Sequence, residues 1–193
     1  MRKLIVSEFL TLDGVMQAPG GPDEDREGGF AHGGWQMPYV DEERGAAILE
    51  GFAAADGLLL GRKTYEIFAG YWPSAPEDNP VAGTMNDFAK YVVSRTLEEP
   101  LAWKNSTLVK GDIAEAVTGL KRPPGKDILV IGSGDLAQTL MQRDLIDEYR
   151  LMIHPLILGS GKRLFRDGNP TKVLKVADSK TIGGVLLLTY TPS

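Results

Sequence analysis

Strand-like and helix-like runs alternate through the first three quarters of the chain and give way to strands alone, which predicts an α/β fold: a mixed, mostly parallel sheet flanked by helices, with a C-terminal antiparallel hairpin. Two further observations support this class. Leu58-Leu59-Leu60 and Ile128-Leu129-Val130-Ile131 each end at a glycine and open into a helix, as parallel strands with helical crossovers do. Near the C-terminus, Gly183-Gly184 separates two β-rich runs by the two residues that a tight hairpin needs.

The elements follow in order. Leu4 to Leu10 reads as a strand, and Thr11-Leu12-Asp13-Gly14 turns the chain. Gln17 to Gly34, rich in Gly, Pro and acidic residues and without a period, reads as a long loop over something else. Pro38 suits the first turn of a helix reaching Ala55, with Val40, Ala47, Ile48, Phe52 and Ala55 as its apolar face. Gly57 to Leu60 is a short buried strand, Gly61 to Glu66 starts a second helix, and Pro80 to Lys90 is a third, entering the strand Tyr91-Val92-Val93. Ser106 to Val109 is a strand, Asp112 caps a helix to Leu120, and Pro123-Pro124-Gly125 separates that helix from the strand Asp127 to Ile131. After the helix Asp135 to Arg143 come the strands Glu148 to Ile153, Val173 to Thr181 and Val185 to Tyr190.

A length of 193 residues with 42% hydrophobic and 24% charged residues fits one globular domain over 1–193. The net charge of -5 and the lack of a basic run argue against nucleic acid or an anionic membrane as partner. With no cysteine, disulfides, thiolate metal sites and a Cys nucleophile are excluded. The two histidines, His32 and His154, make neither a zinc site nor a triad, so no metal is expected. Leu4 to Leu10 is too short for a signal-peptide core and no later run is long enough to span a bilayer, so a cytoplasmic location is expected.

Three strand ends carry chemistry. Gly132-Ser133-Gly134-Asp135-Leu136 opens a helix, where unpaired amides and the helix dipole favour an anion. Gly61-Arg62-Lys63-Thr64 repeats that design with two cations, and Ser94-Arg95-Thr96 adds hydroxyls and a guanidinium after Val93. Each alone is more often ordinary turn chemistry. Together, at the C-terminal ends of strands in one sheet, they occupy the edge where ligands of open α/β sheets gather.

In order and spacing, Leu58 to Glu66, Tyr91 to Arg95 and Ile128 to Leu136 resemble the NADPH-binding elements of the dihydrofolate-reductase-like superfamily. Through Leu12-Asp13-Gly14, Leu145-Ile146-Asp147-Glu148 and Pro155 to Gly161 the chain is similar to the RibD C-terminal-domain family, the reductase domain of riboflavin biosynthesis. The resemblance implies NADPH as cofactor. Arg62, Lys63 and Thr64, with Gly61, would hold its phosphates, Ser94 and Arg95 would flank the adenosine 2′-phosphate, and the Gly132, Ser133, Gly134, Asp135 and Leu136 amides would receive the pyrophosphate. Dihydrofolate reductases carry adjacent glycines joined by a cis peptide where this chain has Gly132-Ser133. Carried over, a cis bond is expected here, at a cost of about 2.5 to 4 kcal/mol.

On the substrate side, the resemblance places Trp35, Gln36, Met37, Tyr39 and Asp41 at the pocket, with Trp35 and Tyr39 as substrate-binding residues and Asp41 as the catalytic carboxylate. An exposed acidic first turn is the other reading of Asp41, Glu42 and Glu43. No arginine follows in Tyr71 to Pro80 to pair with a glutamyl tail, and Ile153 stands where a pterin-supporting threonine would fall, which argues against folate. Trp35, Tyr71 and Trp72 either stack on a flat heterocycle or fill the core. Lys162, Arg163 and Arg166 either bind a substrate phosphate or form a solvated rim. The expected activity is hydride transfer from NADPH to a C=N bond of a small, pyrimidine-like heterocycle. The alternatives are pterin or dihydrofolate reduction, and an NADPH-binding protein without turnover. A homodimer through the C-terminal strands, with Leu186-Leu187-Leu188 at its interface, is the expected assembly.

Overall fold

The computed structural model describes residues 1–76 and 78–193. Along the chain run β1 (Leu4–Thr11), α1 (Glu42–Ala53), β2 (Ala55–Gly61), α2 (Arg62–Tyr71), α3 (Ala82–Asp87), β3 (Ala89–Val93) and β4 (Ser106–Val109). Then come α4 (Ile113–Lys121), β5 (Asp127–Val130), α5 (Gly134–Gln142), β6 (Glu148–His154), β7 (Leu174–Ile182) and β8 (Val185–Pro192). All eight strands join one sheet in the order β4-β3-β2-β5-β1-β6-β8-β7. β1 to β6 pair in parallel, whereas β8 is antiparallel to both neighbours. Gly183 and Gly184, at φ 55° and 80°, make the two-residue turn between β7 and β8, where both positions need left-handed backbone.

Side chains of β1 alternate between two cores. Leu4, Val6 and Leu10 pack with Ile113 and Val117 of α4 and with Leu136, Ala137 and Leu140 of α5. Ile5 faces the other side, among Leu58, Leu60, Tyr65 and Met85, where α1, α2 and α3 cover the sheet. A third cluster of Val15, Ala18, Phe30 and Trp35 lies under the long loop. None of the described helices is long and apolar enough to cross a membrane.

Three expected boundaries shift. Pro38 belongs to a separate 3-10 turn, Met37–Tyr39, and α1 begins only after Asp41, whose carboxylate accepts the Arg44 N–H at 2.7 Å. Val40 therefore stays outside the helix and is 58% exposed, and Ala55 starts β2 instead of ending α1. The third helix is shorter than Pro80 to Lys90, because the ladder between β2 and β4 takes Ala89 and Lys90 into β3. Tertiary pairing overrides local helix preference there. Gln17 to Gly34 is loop as expected, with one 3-10 turn at Glu27–Gly29. It is anchored at both ends: Trp35 Nε1 donates to the Gln17 carbonyl (2.7 Å), and Gly34 N–H to that of Ala18 (2.8 Å).

Candidate functional site

The strand order decides the geometry. β3, β2, β5, β1 and β6 are successive neighbours, so their C-terminal ends form one continuous edge. Along it stand Ser94-Arg95, Gly61 to Thr64, Gly132 to Leu136, Asp13-Gly14 and His154.

Two of these ends are stitched together. Ser133 N–H donates to Thr64 Oγ1 (2.8 Å), while Ser133 Oγ accepts the Gly61 N–H (3.0 Å) and donates to the Ile131 carbonyl (3.1 Å). Gly132 has φ 59°, and a Cβ there would sit 3.0 Å from the Thr64 side chain, so glycine is required on both counts. The expected cis bond at Gly132-Ser133 is not found; among the described residues the cis peptide is Glu99-Pro100. Ser133 itself adopts left-handed backbone, φ 55° and ψ 39°, and two such residues in succession reverse the chain with the peptide trans. Ser133 has no side-chain cap bond to α5, so the amides of Gly134, Asp135 and Leu136 remain the open start of that helix.

Cations surround these helix starts. A Cβ on Gly134 would meet Arg166 Nη2 at 3.0 Å and Met16 Sδ at 3.2 Å, which puts a guanidinium beside the α5 amides; its other terminal nitrogen pairs with Asp135 (2.7 Å). Arg62 pairs with Glu66 one turn on (2.9 Å), and Lys63 pairs with Glu27 of the long loop. Glu27 also holds Lys162 (2.5 Å), and the two ammonium groups keep its carboxyl down at about 2. Ser94 is buried and its hydroxyl accepts the Thr96 and Leu97 N–H groups (3.1 and 3.0 Å), so it shapes the turn. Arg95 is exposed beside it. Arg163 pairs with Asp13 (3.2 Å), so Lys162, Arg163 and Arg166 are tied to loop and helix start, not left as a loose rim.

At the β6 end, Trp35 and Tyr39 come together as expected. Their rings meet the His154 imidazole edge-on at 5.1 and 5.3 Å, with Phe9 at 5.9 Å. Tyr71 and Trp72 do not join them: they pack on each other at 5.0 Å, with Trp72 against the α2–α3 core. Asp41 is exposed; one oxygen caps α1, and the other faces Gly183, where a Cβ would come within 2.6 Å of it. His154 is 0% exposed, and Nδ1 lies 3.2 Å and 3.0 Å from the Leu10 and Met152 carbonyls, which assigns the ring hydrogen to Nδ1. Burial pushes its pKa below the usual imidazole value.

Two site residues escaped the sequence reading. Arg44 is 1% exposed, although Glu42-Glu43-Arg44 reads as a solvated helix start. Glu8 is 6% exposed on β1, and burial raises its carboxyl well above the usual range, with the Gly132 N–H facing it as a partial offset. A lone charged residue inside Leu4 to Leu10 is the one available signal for Glu8: strict alternation puts it on the same buried face as Val6 and Leu10.

A parallel edge with two open helix starts, stitched between neighbouring strands and flanked by an aromatic cluster, defines the ligand-gathering edge of an open α/β sheet. The RibD C-terminal domain model matches residues 2–188, and the chain belongs to that family. The protein YyaP of Bacillus subtilis strain 168, uncharacterized, is 30% identical over 193 residues, covering 98% of this chain and 94% of its own. YwjB of the same strain, also uncharacterized, is 23% identical over 192 residues, covering 98% of this chain and 97% of its own. Among solved structures, a Shewanella sp. PV-4 protein bearing a riboflavin-biosynthesis name superposes with TM-score 0.76 at 22% identity, over 99% of both chains. A pyrimidine reductase-like protein of Corynebacterium diphtheriae gives TM-score 0.67 at 12% identity, over 100% of this chain and 92% of its own. These likenesses establish the fold.

Proposed function

We propose that this protein is an NADPH-dependent reductase acting on a C=N bond of a small heterocycle. The observation that carries the reading is the stitch between Gly61, Thr64 and Ser133, which joins two helix starts on adjacent strands into one anion-binding edge. The residues fit a dinucleotide: glycine at 132 and 134 leaves amides uncovered, Arg166 stands beside the α5 start, and Arg95 lies at the β3 end. Arg62, Lys63, Thr64 and the amides of Gly134 to Leu136 would hold the phosphates, with Ser94 shaping the turn that presents Arg95 to a 2′-phosphate.

When bound, NADPH supplies a hydride to the acceptor carbon. The chain's own work is to position and to shield. Trp35 and Tyr39 wall the acceptor side at the β6 end, and the loop Gln17 to Gly34 covers the edge, excluding water. The acceptor nitrogen needs a proton, and Asp41 is the carboxylate at that end, with one oxygen committed to the helix cap and the other facing the β7–β8 turn at Gly183. A homodimer through β7 and β8, and a cytoplasmic setting, complete the proposal. The Val173 and Val176 side chains, 71% and 62% exposed on or beside the edge strand, support the first.

The test is saturable quenching of tryptophan fluorescence by NADPH and by NADH. NADPH is expected to bind about tenfold more tightly, and Arg95→Ala to remove most of that difference, because a charge-assisted bond to phosphate contributes about 1.5 to 3 kcal/mol. No binding of either nucleotide sinks the reading. NADPH oxidation with an aminopyrimidine ribosyl phosphate, set against dihydrofolate, then separates the proposed acceptor from a pterin.

A further inference from the structure

Two buried polar groups have nothing to bind: His154, packed against Trp35 and Tyr39, and Arg44, close enough for its charge to act on that imidazole. Both terminal nitrogens of the Arg44 guanidinium lack a hydrogen-bond partner, and so does His154 Nε2. Arg44 and His154 are 1% and 0% exposed. A guanidinium keeps its charge at any physiological pH, so burying one without a partner costs several kcal/mol. Asp41 is the nearby acid, but its carboxylate is committed to the Arg44 backbone N–H and forms no ion pair with the guanidinium. With its hydrogen on Nδ1 and held by two carbonyls, His154 presents a bare lone pair at Nε2.

The unmet needs are therefore specific: two parallel donors of positive charge on Arg44, and one acceptor on His154 among Phe9, Trp35 and Tyr39. A planar carboxylate satisfies the fork of a guanidinium two bonds at a time, and a ring N–H satisfies the imidazole lone pair. We infer that, once residues 37–40 move aside, this region takes a planar heterocyclic carboxylate, seated with its carboxylate on Arg44, its ring N–H on His154 Nε2 and its ring among Phe9, Trp35 and Tyr39. This names the substrate class for the reductase reading above and rests on it. Entry needs little rearrangement of the sheet. The backbone N–H groups of Met37, Tyr39 and Val40 all bond within residues 34–37, so residues 37–40 can move aside without breaking a ladder while residues 34–36 stay tied to the long loop.

The test titrates the full chain, with and without NADPH, with pyrrole-2-carboxylate and with its neutral twin pyrrole-2-carboxamide. The indole N–H signal of Trp35 in a two-dimensional NMR spectrum reports occupancy. The carboxylate is expected to bind at least about tenfold more tightly than the amide, and Arg44→Gln to abolish the difference. Arg44→Lys keeps the charge and most of the volume but loses the fork, so there the preference falls to a few-fold. Equal binding of acid and amide, no shift of Trp35 by either, or a full preference retained in Arg44→Gln or in Arg44→Lys overturns the inference. A carboxylate preference in a chain that binds no NADPH removes the reductase reading and leaves this seat standing; NADPH binding without the preference does the reverse.

Discussion

At the scale of single residues, Asp13 explains why two distant motifs occur together. Its carboxylate accepts the Thr11 hydroxyl (2.6 Å), the N–H groups of Leu158 and Gly159 (3.2 and 2.9 Å) and Arg163 (3.2 Å), knotting Leu12-Asp13-Gly14 to Pro155 to Gly161. Those bonds, the one from Thr11 first, bring its pKa down from 3.8 to about 2. A lowered carboxyl contributes stability that is present above its unfolded value and lost as pH falls through the folded one. Discounted for solvent screening, Asp13→Asn should therefore cost about 1 kcal/mol at pH 7 in urea unfolding. The cost should fade between about pH 4 and pH 2; a deficit independent of pH would refute the knot. Gly161 completes it: at φ 119°, any Cβ would fall 2.7 Å from Phe30 and 2.8 Å from Val15. Both motifs were visible in the sequence, but what they bind was not, because a hydrogen-bond partner 145 positions away leaves no local trace. Arg44 was hidden for the opposite reason. Its neighbours Glu42 and Glu43 are acidic and exposed, and only tertiary packing buries it.

At the scale of elements, the long loop acts through charge. Glu27 places a carboxylate on Lys63, where the proposed cofactor places a phosphate, and on Lys162 behind it. The two anions compete for the same ammonium group. Glu27→Gln is expected to tighten NADPH binding several-fold at low ionic strength, with the gain shrinking in high salt as screening weakens every such contact. Fluorescence titration at two salt concentrations measures this, and weaker binding in the variant would assign Glu27 to support rather than competition. Helices and strands with strong periods, such as α4 and β5, were read correctly to within a residue or two. Boundaries moved where a ladder or a cap decided them, as at Ala89 and Asp41.

At the scale of the whole molecule, the kinds of element and their succession are written in local pattern, while the order of strands across the sheet is not. That order, β3-β2-β5-β1-β6, turns three separate turn motifs into one edge. It also leaves β7 as an outer strand, with exposed apolar side chains interleaved with Lys175, Asp178 and Lys180. The proposed homodimer predicts a sedimenting mass twice that of the 20.9 kDa chain, and Val176→Lys should shift it to monomer. A wild-type chain that sediments as monomer at all concentrations would dismiss the assembly. The position of β1 has a temporal consequence. Leu4 pairs with Ile128, and Ile5 with Glu148, so β1 meets both of its neighbours only across long stretches of intervening chain. Its apolar run stays unpaired until those long-range ladders close. Folding is therefore paced by the central ladder, and the interval before it closes is when the chain is most open to aggregation.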